Sequence, residues 1–556
     1  MKLRILIPLL ACALAFCSCG GGEKVVPEGD TPGDIVPDNP PAQTEEIDPG
    51  EGTTVYGVVS ADGQPLAGVR VSDGVLFART DSEGVYRLKS AKKHGYVFVI
   101  LPTGYMPACR NNVFPQFFAT LSGGARECER ADFPLLADGD QKKFRMLVFG
   151  DMQIADRSDD IAQFRHFTAE IARDYPSSDG IPTFALTLGD MSWDSHWSKY
   201  DLNNYVTDIK RIGKMPVFHA IGNHDHDLAK AGDFDSVVPY KKIIGPTYYS
   251  FNIGGVHFVM LDDIECTNDG TGVKATYNDV LVDEQMDWLR EDLSAVSKST
   301  PLVVVLHAPL YKDSGSYSLD NGKNLEAMLS PYADVLVQSG HTHIMYNVDK
   351  TSDKHIMEQN SGAVCGTWWY TGYDVPWLHI GRDGSPGGYR VCEFDSGKVR
   401  WYFKGVERPA DFQFRSYDRN QICITAEKYT PGATEEYKQT FTESVGEYGQ
   451  ASSDNWVYIN VWDWDPEWKV EVFEGSKSLK VTKFEGFDPL HVIAYNAKRA
   501  SLGKKLDFAT KNTKHLFKAQ ASSPSSTLVI KVTDRFGREY VETMQRPKPF
   551  TLEQYM

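Results

Sequence analysis

Five apolar runs in the middle of this chain end in side chains that can hold a cation or move a proton. Phe144–Phe149 is followed by Gly150-Asp151-Met152-Gln153, and Phe184–Leu188 by Gly189-Asp190-Met191-Ser192-Trp193-Asp194. Pro216–Ile221 leads into Gly222-Asn223-His224-Asp225, and Leu302–Leu306 into His307. Just past Val335–Val337 comes Ser339-Gly340-His341-Thr342-His343. Carboxylates, amide oxygens and imidazoles suit hard or borderline divalent cations, and an imidazole beside such a cation can act as a proton donor. The glycines let the backbone turn sharply and pass close to a ligand. Each motif alone is ordinary loop chemistry. Five of them behind five apolar runs point to one crevice, because open α/β sheets bind ligands at the carboxyl ends of their strands.

The elements that must position these groups read as alternating strand and helix. Between the apolar runs, Ile161, Phe164, Phe167 and Ile171 fall at helical spacing behind Ser158 as a candidate N-cap, and helical patterns recur around Tyr205–Ile212 and Met286–Leu293. His257–Leu261 reads as a further strand. This implies an α/β domain with a largely parallel centre over residues 138–379. Before it, residues 52–137 carry short strands punctuated by Asp/Gly turns, as in Thr54–Ser60, Gly68–Ser72, Val85–Leu88 and Tyr96–Leu101, which predicts an all-β sandwich. After it, residues 380–556 alternate with period two in Trp456–Trp462, Lys469–Phe473 and Thr527–Thr533, predicting a second all-β domain.

The 556 residues accommodate these domains, and the hydrophobic fraction of 41% is that of an ordinary globular protein. A formal charge of −17 argues against nucleic-acid binding, which needs a basic footprint. Residues 1–19 read as an export signal: Lys2 and Arg4 precede the apolar stretch Ile5–Phe16, too short to span a bilayer as a helix. The sequence Phe16-Cys17-Ser18-Cys19 looks like a bacterial lipobox with Cys19 as the acylated residue. Residues 20–51, rich in Pro, Gly and acidic side chains, read as an extended tether. The expected location is therefore the bacterial cell envelope, on its periplasmic or outer face, with the lipid bilayer as a partner. Of nine cysteines none forms a Cys-x-x-Cys pair, so a structural zinc site is not expected; Cys109 and Cys128 are candidates for a disulfide that the sequence leaves open.

In this order, Gly-Asp-x-Gln, Gly-Asp-x-x-x-Asp, Gly-Asn-His-Asp, an isolated His and Gly-His-x-His resemble the calcineurin-like metallophosphoesterase superfamily over residues 144–345. The whole chain resembles exported bacterial members with dedicated N- and C-terminal β-domains. In the first of these, Pro65-Leu66-Ala67-Gly68-Val69 and Thr80–Tyr86 resemble the carboxypeptidase-regulatory-like domains. The resemblance implies a β-sandwich flanked by helices, with two divalent ions (Mn, Fe or Zn) at the strand ends. It implies Asp151, Gln153, Asp190 and His343 on the first metal, and Asp190, Asn223, His307 and His341 on the second, with Asp190 bridging. It also implies hydrolysis of phosphomonoesters or phosphodiesters by a metal-bridging hydroxide, with His224 over the phosphate as catalytic residue. Asp194 is a candidate to orient His224, one residue further from Asp190 than in the protein-phosphatase branch, and Asp225 reads as a hydrogen-bonding anchor. Many members have His where this chain has Gln153, so the first metal is expected to be held less tightly. No Tyr follows Asp190 at the spacing that purple acid phosphatases use to ligate iron. Trp193, Trp197, Trp368, Trp369, Tyr370, Tyr373 and Trp377 crowd the loops after the second and fifth motifs; half of them read as core, and the remainder, with Trp368 and Trp369 as the candidates, as a wall of the substrate site. The competing expectation is a catalytically degenerate surface lipoprotein that binds glycan or protein.

Overall fold

The computed structural model describes residues 47–273 and 275–555. The export signal, Cys19 and most of the tether lie outside the described residues. Among those described, no helix is long and apolar enough to cross a membrane, and all six cysteines are free, Cys109 and Cys128 included.

Two sheets form the centre. The first runs in the order Val217–His219, Thr183–Thr187, Lys143–Phe149, Gly388–Asp395, Lys398–Gly405, its first three strands parallel and the last two antiparallel. The second runs Tyr249–Ile253, Val256–Met260, Leu302–Val305, Val335–Ser339, Ile356–Asn360, Tyr346–Lys350, with four parallel strands in its middle. The period of two assigns their faces. Phe144, Met146 and Val148 turn toward the second sheet and share a core with Phe258, Met260 and Val305. Their neighbours Leu147 and Phe149 turn the other way, onto Phe164, Phe167 and Ile171 of the helix Asp160–Asp174 and Tyr205 and Ile209 of Leu202–Ile209. Burial on both faces is why these strands read as continuous apolar runs.

Register then places the site. Phe149 lies beside Thr187, and Thr187 beside His219, so three parallel strands end level. In the facing sheet Met260, Val305 and Gln338 are likewise aligned. All five polar motifs therefore emerge along one edge of the sandwich.

Three features depart from the sequence reading. The limit drawn at residue 379 cuts through the central fold, because Gly388–Asp395 and Lys398–Gly405 complete its first sheet. Their antiparallel pairing gives them the alternating pattern of a separate β-domain, which sequence alone cannot tell apart. Ser158 does not cap the first helix: Asp159 holds that position with φ 58°, and Ser158 donates to Asp160 instead. The C-terminal region also carries helices, Glu435–Glu443 and the segment Pro489–Ser501 with a π-turn at Val492–Asn496, that its strand pattern did not announce.

Most of the N-terminal strands form two sheets, as expected, with Cys109–Arg110 and Phe114–Pro115 pairing apart as a hairpin, and they dock on the central fold. Trp288 stacks on Phe77 and donates to Ser72 Oγ at 3.1 Å, while Arg70 pairs with buried Asp292 at 3.0 Å. The C-terminal region folds as two four-stranded sheets and is joined to the central fold by buried polar contacts, among them the pair of Arg390 with Asp463.

Candidate metal centre

The seven residues expected to hold metal come together. His307 Nε2 lies 2.9 Å from Asn223 Oδ1 and 3.5 Å from Asp190 Oδ2, and His341 Nδ1 lies 3.1 Å from His307 Nε2. Ligand atoms of Asp190, His307 and His341 all fall within 4.8 Å of one another. The same oxygen, Asp190 Oδ2, accepts from Gln153 Nε2 at 2.6 Å, and His343 Nε2 is 3.4 Å from Asp151 Oδ1.

Backbone strain gathers at the same residues. Asp151, Gln153, Asp190, His341 and His343 have φ of 46°, 39°, 56°, 68° and 53°, in the left-handed region that side chains rarely adopt. Such conformations persist only where the surroundings over-determine them, and they cluster at functional sites. Two glycines permit the crowding. A Cβ on Gly222 would sit 2.4 Å from Asp190 Oδ1, and one on Gly340 would sit 2.5 Å from Asp151 Oδ2.

The donor set fits divalent cations. Buried Gln153 Oε1 and His343 Nε2 have no hydrogen-bond partner, a costly state for polar atoms unless something else satisfies them. Burial lowers the pKa of His307, of His343 and of His341 (to about 4, with the neighbouring His307 adding to the effect), which keeps these rings in the neutral form that binds metal. Asp151 is pushed up by burial and by the charge of Asp190. Burial works against the ionised Asp190 too, but the charge that His307 and His224 carry when protonated, with the His224 backbone N–H, lowers its pKa. Two carboxylates buried this closely call for positive charge between them.

His224 is different. Burial would lower its pKa, but Asp190 and Asp194 together raise it. Its Nδ1 lies 3.1 Å from Asp194 Oδ1, so the longer spacing noted in the sequence still brings Asp194 to the ring. The short turn Asp194–His196 takes up the extra residue. Asp225 is the anchor expected: its carboxylate accepts from the backbone N–H groups of Asp190 (2.7 Å), Met191 (3.0 Å) and Gly222 (3.0 Å). It thereby ties the second and third motifs together.

The aromatic wall needs correction. Trp369 is 1% exposed, donates to Met152 O at 2.8 Å and stacks on His379, so it belongs to the core rather than to a substrate surface. Trp368 is at the site, but one face stacks on His343 (4.0 Å between centroids) and the other on Phe508 (3.7 Å). Neither face is open to a substrate ring. Trp193, 5.1 Å from the His224 ring and covered by the Arg157 guanidinium, lies at the rim instead.

Sequence reasoning missed Asp263, whose Oδ1 accepts the His307 backbone N–H at 2.8 Å, and Asn360, whose side chain donates to Gly340 O at 2.7 Å. Asp263 carried a usable signal, since it follows the strand Val256–Met260 as the other motifs follow theirs. Phe508 carried none.

Comparison with known proteins gives matches along most of the chain. The family model for the N terminal of calcineurin-like phosphoesterase matches residues 53–138, that for calcineurin-like phosphoesterase 144–345, and that for its C terminal 358–540. Purple acid phosphatase 23 of Arabidopsis thaliana is 38% identical over 181 residues, 30% of this chain and 36% of that protein. Purple acid phosphatase 22 of the same plant is 30% identical over 177 residues, 28% of this chain and 37% of that protein. This chain thus spans about a third of the length of these relatives. Among solved structures, a 5'-nucleotidase from Candida albicans aligns with TM-score 0.30 and 14% identity, covering 47% of this chain and 50% of that one. GAP50, the anchor in the inner membrane complex of Plasmodium, aligns with TM-score 0.31 and 16% identity, covering 48% of this chain and 85% of that one. With its central domain and both companion domains matched in order, the chain belongs to the calcineurin-like metallophosphoesterase superfamily, whose members work with two divalent metal ions.

Proposed function

We propose that this chain is a phosphoric ester hydrolase in which Asp151, Gln153, Asp190 and His343 hold one divalent ion and Asp190, Asn223, His307 and His341 the other. The observation that carries the reading is the convergence of the seven side chains around the Asp190, His307 and His341 cluster, with buried Gln153 Oε1 and His343 Nε2 left without hydrogen-bond partners. When bound, the two ions supply charge that polarises phosphoryl oxygens and lowers the pKa of water.

The chain's own residues do the rest. His224, its Nδ1 turned to Asp194, keeps Nε2 free to hold a proton for the departing oxygen. Asp225 fixes the backbone of Asp190 and Gly222, so that Asp190 and Asn223 do not drift apart when substrate binds. The purple acid phosphatase relatives favour a phosphomonoester over a phosphodiester substrate, and the charge of −17 disfavours nucleic acid.

The test is turnover of a panel of phosphomonoesters and phosphodiesters with Mn²⁺, Zn²⁺ or Fe²⁺, beside Asp190→Asn and His307→Ala. Metal-dependent turnover that both substitutions abolish supports the reading. Absence of turnover on every substrate with every metal would leave a binding module instead. Export and lipid anchoring at Cys19 complete the proposal, supported by the basic, apolar and Ser18-Cys19 pattern of the first nineteen residues. Detergent partition tests it: the native protein should enter the detergent phase and Cys19→Ser the aqueous phase, while aqueous partition of the native protein would remove the anchor.

A further inference from the structure

We infer that the C-terminal domain is a working part of the metal centre: Phe508, through Trp368, fixes the ring of His343 and so sets how firmly the first metal is held. The inference rests on the reading of His343 as a ligand.

The two sides of the site are supported unequally. His307 is fixed at both ends, with Nδ1 2.6 Å from Leu188 O and its backbone N–H on Asp263. Among the described residues His343 has no such anchor: its Nε2 stands 3.4 Å from Asp151 Oδ1 without a hydrogen bond. Its Nδ1 faces Cys365 Sγ at 3.5 Å, and a thiol is a weak hydrogen-bonding group that fixes a ring plane poorly. What holds the ring is its face. Trp368 lies parallel to it at 4.0 Å and 9°, and Phe508 covers the far side of Trp368 at 3.7 Å and 15°. Three rings thus run in one stack from the C-terminal domain to a metal ligand.

The stack is clamped where the two segments meet. Buried His491 hydrogen-bonds with Thr367 Oγ1 through Nε2 and with Thr510 Oγ1 through Nδ1, each at 2.8 Å. Thr367 immediately precedes Trp368, and Thr510 lies two residues past Phe508. Arg382 holds the same loop by donating to Ala509 O at 3.1 Å. Trp368 sits at φ 48°, a conformation with no reason to persist unless packing imposes it. The dependence falls on the metal that also has Gln153, the weaker ligand, in its set.

Phe508 is therefore a positioning residue, and the full-length, metal-loaded protein tests it. Metal content is measured after dialysis against a graded chelator for wild type, Phe508→Leu, Phe508→Tyr, the surface control Leu502→Ala, and His343→Ala. Leu fills space without stacking, and Tyr stacks. Outer-shell support of a ligating histidine typically changes metal affinity by about 10–100-fold. Phe508→Leu should accordingly lose its first metal at roughly tenfold lower chelator, with loss of the second metal and the apo unfolding midpoint unchanged. Phe508→Tyr and Leu502→Ala should behave as wild type. Equal retention in the Leu and Tyr variants, or equal loss of both metals in Phe508→Leu, overturns the inference. His343→Ala separates the two levels: if it keeps both metals, the ligand reading itself is wrong; if it loses one while Phe508→Leu loses none, only the role of Phe508 is.

Discussion

Gly222→Ala tests the packing of the site with one added methyl group. Gly222 has φ −125° and ψ 175°, extended backbone open to any residue, so alanine brings no conformational penalty of its own. The effect is purely one of space. The new Cβ would meet Asp190 Oδ1 at 2.4 Å, Asp190 N at 2.5 Å and His307 Cε1 at 2.9 Å. None of these can yield cheaply. Asp190 N is held by Asp225 Oδ2 at 2.7 Å, and His307 is pinned through Leu188 O at 2.6 Å. The Gly222–Asn223 backbone must therefore move, and Asn223 with it. Overpacking of this kind costs about 1–3 kcal/mol of stability. A shift of about 1 Å in a positioned group costs on the order of 100-fold in rate. We expect kcat/KM for p-nitrophenyl phosphate to fall by about two orders of magnitude, and the apo protein in excess chelator to lose about 1–3 kcal/mol in urea unfolding. Gly432→Ala, where a Cβ would meet nothing within 4 Å, is the control and should match wild type in both assays. If Gly222→Ala keeps wild-type turnover and stability, the strand ends are not packed as described, and the account of the site fails with them.

Other perturbations have equally definite outcomes. Asp194→Asn should lower kcat by about 10–100-fold with little change in KM, because it removes one of the carboxylates that raise the His224 pKa and touches no proposed metal ligand; an unchanged kcat would dissociate the two residues. Gln153→His should make the first metal harder to remove, seen as a narrower gap between the two steps of metal loss under graded chelation. Trp369→Ala should destabilise the fold by about 3–5 kcal/mol in denaturant melts, whereas Trp377→Ala, at a site 67% exposed, should be near neutral. His219 sets an acid limit. Burial lowers its native pKa from 6.5 to about 3, so between those values the unfolded chain takes up a proton that the native state refuses. Its contribution is complete above pH 6.5 and is lost as pH falls, at up to about 1.4 kcal/mol per pH unit. Urea melts in chelator from pH 7 to pH 4 should show this slope, and His219→Gln should reduce it by one proton; an unaltered slope would refute the assignment.

The metal-site chemistry was legible in the chain because its groups are local. Each strand is a short apolar run, and each ligand lies within a few residues of its end, so residue type and order carried the information for Asp151, Asp190, Asn223, His307, His341 and His343. Asp225 could be assigned as an anchor for the same reason, since the third motif closes on itself through a 3.0 Å bond from Gly222 N. The three-part organisation was legible from hydrophobic period. Its internal boundary was not, because an antiparallel strand that completes one sheet carries the same alternation as a strand of the next domain.

What only the tertiary structure decided concerns groups brought together across the chain. Trp368 and Trp369 are neighbours of one residue type. Sequence does not say that one stacks on His343, a proposed ligand, while the other turns into the core to donate to Met152 O, because those partners come from distant segments. The Asp194–His224 contact depended on how a short turn absorbs one extra residue. Phe508 and His491 lie in a region whose strand pattern says nothing about catalysis, and they reach the site only because two domains close on one another. The candidate ligands were written in local order, and the support that holds those side chains still was set by packing between distant segments.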